Sequence, residues 1–418
     1  MPGDEGHSFI SKAAVENLPL WIKKHMGKEL ENFYREYCIY GDRYLEKDIE
    51  PYVRLPDGRL SVENFNFWKF QKDAPGIDWF IHESQLDLRK RFEYYISVMI
   101  DCLQKNRIVD LAKYYGVLAH FIEDACVPAH SVGVDISMDM RLINMIYPPP
   151  PSKRGMVTHA LLENGWVPFR IKHKPSLLGL NPEEMAMNIF EKVSDAIEYS
   201  VSLIIPVLDA FYRNKEQKRK EILSESGKLP AQIISDIIYS VYSTVYAKIK
   251  DAERKKLEKV PLSDITPVRR SGWGPAPYFY RPIRKWYFAT YGDTSKAIFR
   301  RDSLTLNMDG TVKKFKKGIA TGAPFRIDYI LPEHVYNSLS SLAGMHSRLG
   351  AKTKVKFKVI GDGKLVQEEI CLPPNGVCNF TASIAGIREL SLITELVNCD
   401  MFNTNNNHAL WCCPYLLK

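Results

Sequence analysis

A chain of 418 residues with 45% hydrophobic content is long enough for about two domains with full apolar cores. Its 57 basic and 49 acidic residues leave a net charge of +8, too mild a surplus to imply nucleic-acid binding by itself. No apolar run reaches the ~18 residues that a membrane-spanning helix needs, since the nearest, YSVSLIIPVLDAFY, is broken by Pro206 and Asp209.

The first element that carries chemistry is YYGVLAHFIEDACVPAH. His120 and Asp124 are four apart, so on a helix they share one face, and the apolar residues before them place that face inside the protein. Two buried ionisable groups without partners would cost several kcal/mol, and a metal ion removes that cost. His130 follows Pro128, where the helix should kink or end. The prolines of PPPP at 148–151 mark an extended connection, and His159 and Glu163 in HALLEN then repeat the four-residue spacing on what reads as a second helix. One His-x-x-x-Asp alone is more often a satisfied core hydrogen bond than a ligand pair. Two such pairs and a further histidine within 44 positions, in a chain with ten histidines, favour a metal. Nitrogen with carboxylate oxygen is the ligand set that suits zinc.

The rest of the first half reads as helical. Asn181, Pro182, Glu183 and Glu184 form an N-cap, a first-turn proline and two acids that suit the helix dipole. The stripe Met185, Ile189, Val193 and Ile197 follows, and a later helix carries Ile234, Ile238, Val241, Val245 and Ile249. PLSDITPVRRSGWGPAP at 261–277 reads as a proline-rich linker. Beyond about residue 285 the period changes. In KVKFKV the alternation puts Val355, Phe357 and Val359 on a core face, Asp362-Gly363 makes a turn, and KLVQEEI returns as the partner strand. Cys371 and Cys378 flank PPNGV at a spacing that could bridge a hairpin. No Gly-x-Ser-x-Gly elbow and no phosphate-cradling Gly-x-x-x-x-Gly-Lys loop is present, so covalent serine chemistry and nucleoside triphosphate binding have no support.

The order His-x-x-x-Asp, five residues, His, then His-x-x-x-Glu resembles the zinc-dependent phospholipase C family and its relatives, the single-strand-specific nucleases. GDEGHSFISKAAVENLP resembles the family's amino-terminal pattern, with His7 on the histidine position. Tyr40-Gly41-Asp42 resembles its internal aspartate region. The resemblance covers about residues 2–260 and implies two to three zinc ions. Asp42, a histidine, His120 and Asp124 would hold the first, and His130, His159 and Glu163 the second. His7, a bridging Asp124 and the terminal amine would hold the third. The missing histidine is assigned to His82, forty residues after Asp42 across an insertion. Pro2 falls on the family's amino-terminal residue. If Met1 is removed, its secondary amine can bind metal; if Met1 stays, the amine is displaced by one residue. The resemblance implies phosphodiester hydrolysis, because zinc ions acidify water and stabilise attacking and leaving oxygens at phosphorus. Asp42 would orient or deprotonate the attacking water. Phe65, Phe67 and Trp68 read either as packing or as an apolar lip for acyl chains.

The second half resembles the NPCBM carbohydrate-binding module often attached to glycosidases, through KKGIATGAPFRIDYIL, SLSSLAGM, FKVIGDGKLV, GIRELSLITELV and NNNHALWCCPYLL. It implies a jelly-roll β-sandwich, although Gly322 and Asn407 stand where the family usually has a histidine and an acidic residue. His408 and Trp411 are its candidate sugar contacts, against a reading of Trp411 as core and His408 as surface.

The expectation is therefore an all-α catalytic domain at 1–262, a linker at 263–284 and a sandwich at 285–418. Its function would be zinc-dependent phosphodiester hydrolysis of phospholipase C type; the alternatives are a single-strand nuclease and a non-catalytic, metal-stabilised carbohydrate-binding protein. The expected partners are a phospholipid head group, a glycan on the second domain and a peripheral membrane surface. MPGDEGHSF lacks the apolar stretch of a signal peptide, so the chain as given is expected to be cytoplasmic, with secretion as the family-based alternative.

Overall fold

A computed structural model of the chain describes residues 4–60, 82–131, 143–272, 287–291, 299–321, 323–348, 354–372, 376–397 and 408–418. They fall into two compact units that meet in sequence between Glu253 and Arg254.

The first unit is helical. Its helices are α1 (Asp4–Glu16), α2 (Leu20–Met26), α3 (Glu29–Arg35), α4 (Glu50–Val53), α5 (His82–Gln104), α6 (Ile108–Ala125), α7 (Pro182–Tyr212), α8 (Glu216–Ser226), α9 (Lys228–Val245) and α10 (Asp251–Leu257), the last running into the boundary. The expected cap of α7 is present, with the Asn181 side chain accepting from the Glu184 N–H at 2.9 Å. Its predicted stripe is buried, as are Ile234, Ile238 and Val241 of α9. Two expectations need correction. The α9 stripe stops at Val245 and does not reach Ile249, because Ala247 takes a left-handed φ of 51° that ends the helix. His159 and Glu163 do not lie on an α-helix: His159–Leu162 is a short 3-10 turn with Glu163 as its C-cap. Gly165 at φ 89° and then Pro168 prevent it from extending. By contrast α6 ends at Ala125, just before Pro128, as its sequence predicts. The core of this unit joins α1, α5, α6, α7 and α9 through buried residues such as Ile10, Phe92, Ile122, Ile189 and Ile238.

The second unit is an antiparallel β-sandwich. Its strands are β1 (Lys259–Pro261), β2 (Arg269–Gly272), β3 (Tyr287–Tyr291), β4 (Phe299–Met308), β5 (Thr311–Phe315), β6 (Gly318–Thr321), β7 (Phe325–Ile330), β8 (Ser338–Met345), β9 (Lys354–Gly361), β10 (Lys364–Cys371), β11 (Val377–Ser383), β12 (Glu389–Val397) and β13 (Ala409–Leu417). One sheet has the order β1-β13-β8-β11 with β6 also on β13, another has β10-β9-β12-β7-β2, and β3-β4-β5 form a third. The β9–β10 hairpin turns through Asp362 and Gly363, both at positive φ, and Val355, Phe357 and Val359 are buried. Sheet pairing begins at Lys259 and continues into the proline-rich stretch: β1 pairs with β13 and β2 with β7. Both are edge strands, where a proline need not donate to a ladder, so the prolines at 261 and 267 are compatible with pairing. Among the described residues no helix is long and apolar enough to cross a membrane.

Candidate metal centre

The ligand candidates converge in two groups. In the first, ligand atoms of His7, Asp42 and His120 lie within 4.8 Å of one another; in the second the same holds for His130, His159 and Glu163. His7 comes from the first turns of α1, His120 and Asp124 from the last turns of α6, and Asp42 from the chain just after the 3-10 turn Tyr37–Ile39. Gly41 makes the approach of Asp42 feasible. A Cβ there would sit 2.0 Å from His120 Cδ2, so any side chain at 41 would displace the imidazole.

Each group has one carboxylate that offers its two oxygens to two imidazoles. Asp124 Oδ2 is 3.3 Å from His120 Nε2, and its Oδ1 is 3.5 Å from His7 Nε2. Glu163 Oε2 is 3.4 Å from His159 Nε2, and its Oε1 is 3.5 Å from His130 Nε2. Asp42 Oδ1 adds a contact of 3.5 Å to His120 Nε2. Two ligands on one tetrahedral zinc, each at about 2.0–2.1 Å, are about 3.3–3.4 Å apart. The observed spacing of 3.3–3.5 Å accommodates a shared cation. Among the described residues His7 Nε2, Asp124 Oδ1 and His130 Nε2 are buried and have no hydrogen-bond partner. Desolvated lone pairs facing one another are unfavourable until a cation joins them. The residues present thus fit zinc.

The ring orientations are fixed from behind. His120 Nδ1 donates to the Cys38 carbonyl at 3.0 Å, which leaves Nε2 to face the carboxylates. His7 Nδ1 lies 2.6 Å from Glu123 Oε2, and the His7 and His120 rings stack with centroids 4.2 Å apart. In the second group Arg219 Nη1 donates to the carbonyls of Leu161 and Asn164, both at 2.8 Å, and Trp166 Nε1 donates to that of Glu163 at 2.6 Å.

Electrostatics separates the groups. Burial disfavours the charged form of His120, but Asp124 and Asp42 outweigh it and push its pKa up to about 10. Burial also works to raise the Asp124 carboxyl, and the imidazoles of His120, His7 and His130 instead hold it well below the usual range. The field of Asp124 therefore reaches both groups. Burial pushes His130 down to about 4 and lowers His159.

Of the remaining sequence candidates, His82 is the first residue of α5 and its side chain lies outside the described residues. Pro2, Phe65, Phe67, Trp68, Gly322 and Asn407 also lie outside them. In the sandwich, Trp411 is a core residue, fully buried and packed on Phe357 at 5.2 Å and Phe380 at 4.9 Å between ring centroids, so it is not a sugar contact. His408 is buried rather than at the surface, with its pKa pushed down to about 4 by burial. Cys371 and Cys378 are free thiols. Sequence reasoning missed Glu123, Ser11, Arg219 and the Cys38 carbonyl. Only Ser11 gave a signal, since it lies four residues after His7 on the same face of α1.

Fold and site together define a helical body with a histidine–carboxylate double cluster, followed by an antiparallel sandwich. Residues 258–416 match the model of the NPCBM/NEW2 domain family, so the resemblance read in the second half holds. No curated protein matches the chain. Among solved structures the chain is similar to the CBM51-2 and INT domains of Clostridium perfringens ZmpB, at 22% identity and a TM-score of 0.29. That match covers 38% of this chain and 31% of the other, so the chain spans less than a third of that structure's length. It is also similar to the alpha toxin of Clostridium absonum, at 10% identity and a TM-score of 0.33, with 99% of this chain and 94% of that one covered. For the alpha-toxin of an avian strain of Clostridium perfringens the values are 12% and 0.34, with 97% and 86% covered.

Proposed function

We propose that the chain is a zinc-dependent phosphodiester hydrolase of phospholipase C type, with an accessory carbohydrate-binding module in its second half. One observation carries the reading: Asp124 and Glu163 each present both oxygens to separate imidazoles at 3.3–3.5 Å, the spacing of ligands on a shared ion.

His7, Asp42, His120 and Asp124 would hold zinc in the first group, joined by His82 and the amine of Pro2 on the family resemblance. His130, His159 and Glu163 would hold it in the second. Zinc held there supplies positive charge to phosphoryl oxygens and acidifies water. A purely structural zinc takes four protein ligands, whereas the second group offers three among the described residues and leaves a position for substrate. Asp42 keeps one oxygen beside His120 and has its second to orient a water and accept its proton. His130 and His159, held neutral by burial, present lone pairs rather than protons.

The substrate proposed is a phospholipid head group at a peripheral membrane contact, and the NPCBM/NEW2 match supports a glycan as partner of the sandwich. The division proposed is a helical catalytic domain at 1–262, a connecting segment at 263–284 that contributes the edge strand β2, and the sandwich proper at 285–418. Metal analysis of the purified chain, with turnover measured on phosphatidylcholine and on single-stranded DNA, tests the reading. Zinc together with phosphatidylcholine cleavage is expected. Cleavage of DNA alone would replace the lipase reading by a nuclease, and absence of both metal and turnover would reject it.

A further inference from the structure

Glu123 is a buried carboxylate that is no part of either ligand group. Neighbouring residues on a helix point about 100° apart, so Glu123 faces away from the direction of Asp124 and toward α1. There its Oε2 meets His7 Nδ1 at 2.6 Å, and its Oε1 accepts from the Ser11 hydroxyl at 2.7 Å. His7, Ser11 and Glu123 are all at 0% exposure. A carboxylate buried this deeply is unfavourable unless both oxygens are engaged, and here both are engaged by one face of α1.

We propose that Glu123, braced by Ser11, is a positioning residue for His7. It accepts the Nδ1 proton and so fixes the tautomer in which Nε2 carries the lone pair, and that Nε2 is the atom facing Asp124 Oδ1. Ser11 keeps the carboxylate from rotating out of that hydrogen bond. The helix that supplies Asp124 thereby also sets the aim of the histidine opposite it. The inference rests on the proposed function for what His7 binds, but not for how its ring is held.

The test uses the full chain, with zinc alone as the probe. Zinc affinity is measured by chelator competition for the parent, Glu123→Gln, Ser11→Ala, His7→Ala and the double variant Glu123→Gln/His7→Ala. Glu123→Gln should weaken the ion that depends on His7 by about 10- to 100-fold, as loss of an outer partner does, and leave binding by His130, His159 and Glu163 unchanged. Ser11→Ala should act in the same direction but less. In the His7→Ala background Glu123→Gln should have no further effect. Nitrogen NMR of the histidine side chains in the zinc-free chain should show the Nδ1–H form of His7 in the parent, lost in Glu123→Leu, where no acceptor remains. Unchanged affinity, an effect that persists without His7, or an unaltered tautomer would overturn the proposal. A parent chain that takes up no zinc would sink the proposed function instead, and the tautomer would still decide the role of Glu123. If Glu123→Gln or Glu123→Leu does not fold, Ser11→Ala and the tautomer of the parent carry the test.

Discussion

The two histidine–carboxylate groups present the same kinds of atoms on opposite kinds of support. The first is built on the ends of long helices, and His7 and His120 are 0% and 2% exposed. The second sits on a turn after α6 and a four-residue 3-10 turn, and its histidine side chains are 25% exposed. Without metal the first is a charge-paired network, with His120 protonated between Asp42 and Asp124, while in the second His130 and His159 are neutral. Where nearby carboxylates outweigh burial the imidazole is charged, and where burial prevails it is neutral, so the same side chains are prepared in opposite protonation states.

Asp124 is the residue on which both groups depend electrostatically, so Asp124→Ala should have the largest effect. Hydrolysis should be lost well beyond the about 10- to 100-fold that outer partners contribute, and metal content should fall. His159→Ala should remove metal from the second group only. Full zinc stoichiometry in Asp124→Ala would contradict that dependence.

Gly41→Ala should strike the first group alone. Its Cβ would overlap the His120 ring, so overpacking of about 1–3 kcal/mol and loss of the first-group metal are expected, with the second group intact. Denaturant unfolding with metal analysis measures both. Arg219→Ala should do the converse. Its guanidinium holds the Leu161 and Asn164 carbonyls that frame Glu163, so removing it should cost about 1.5–3 kcal/mol and weaken second-group zinc by about 10-fold. Equal weakening of both groups by Arg219→Ala would contradict separate supports.

The same contrast explains what was legible in the sequence. Local periodicity reports local geometry, so the α6 pair, the α7 cap and the β9–β10 hairpin were all readable. The His159–Glu163 pair has identical spacing, yet its segment is too short and too rich in Gly and Pro to stay α-helical, and tertiary bonds from Arg219 hold it instead. Those bonds span 58 and 55 positions and have no local signature. The bond between Ser11 and Glu123, 112 positions apart, was hidden for the same reason, although Ser11 by itself shares a helix face with His7. The edge strands β1 and β2 were masked by prolines that only their edge placement permits. Trp411 offered the opposite lesson, since a tryptophan near a late histidine reads equally as ligand platform or as core, and only packing on Phe357 and Phe380 decides.

A separate effect is expected in the pH dependence of the zinc-free chain, where the two groups act with opposite sign. The pKa of His120 is raised from 6.5 to about 10, so its contribution to stability is fully present below pH 6.5 and is lost as pH rises through about 10. That of His130 is depressed to about 4, so the unfolded chain takes up a proton that the folded chain declines; this contribution is complete above pH 6.5 and is lost as pH falls toward about 4. Asp124, held low, adds a contribution that is lost only in strong acid. Thermal melts of the zinc-free chain should therefore show greatest stability near pH 6.5, falling on both sides. His130→Gln should flatten the acid limb alone, because glutamine does not titrate. His120→Gln should flatten the alkaline limb alone, although the melts as a whole should drop because Asp124 and Asp42 lose their shared partner. An acid limb that survives His130→Gln, or an alkaline limb that survives His120→Gln, would place the titrating group elsewhere and remove the electrostatic half of the contrast between the two groups.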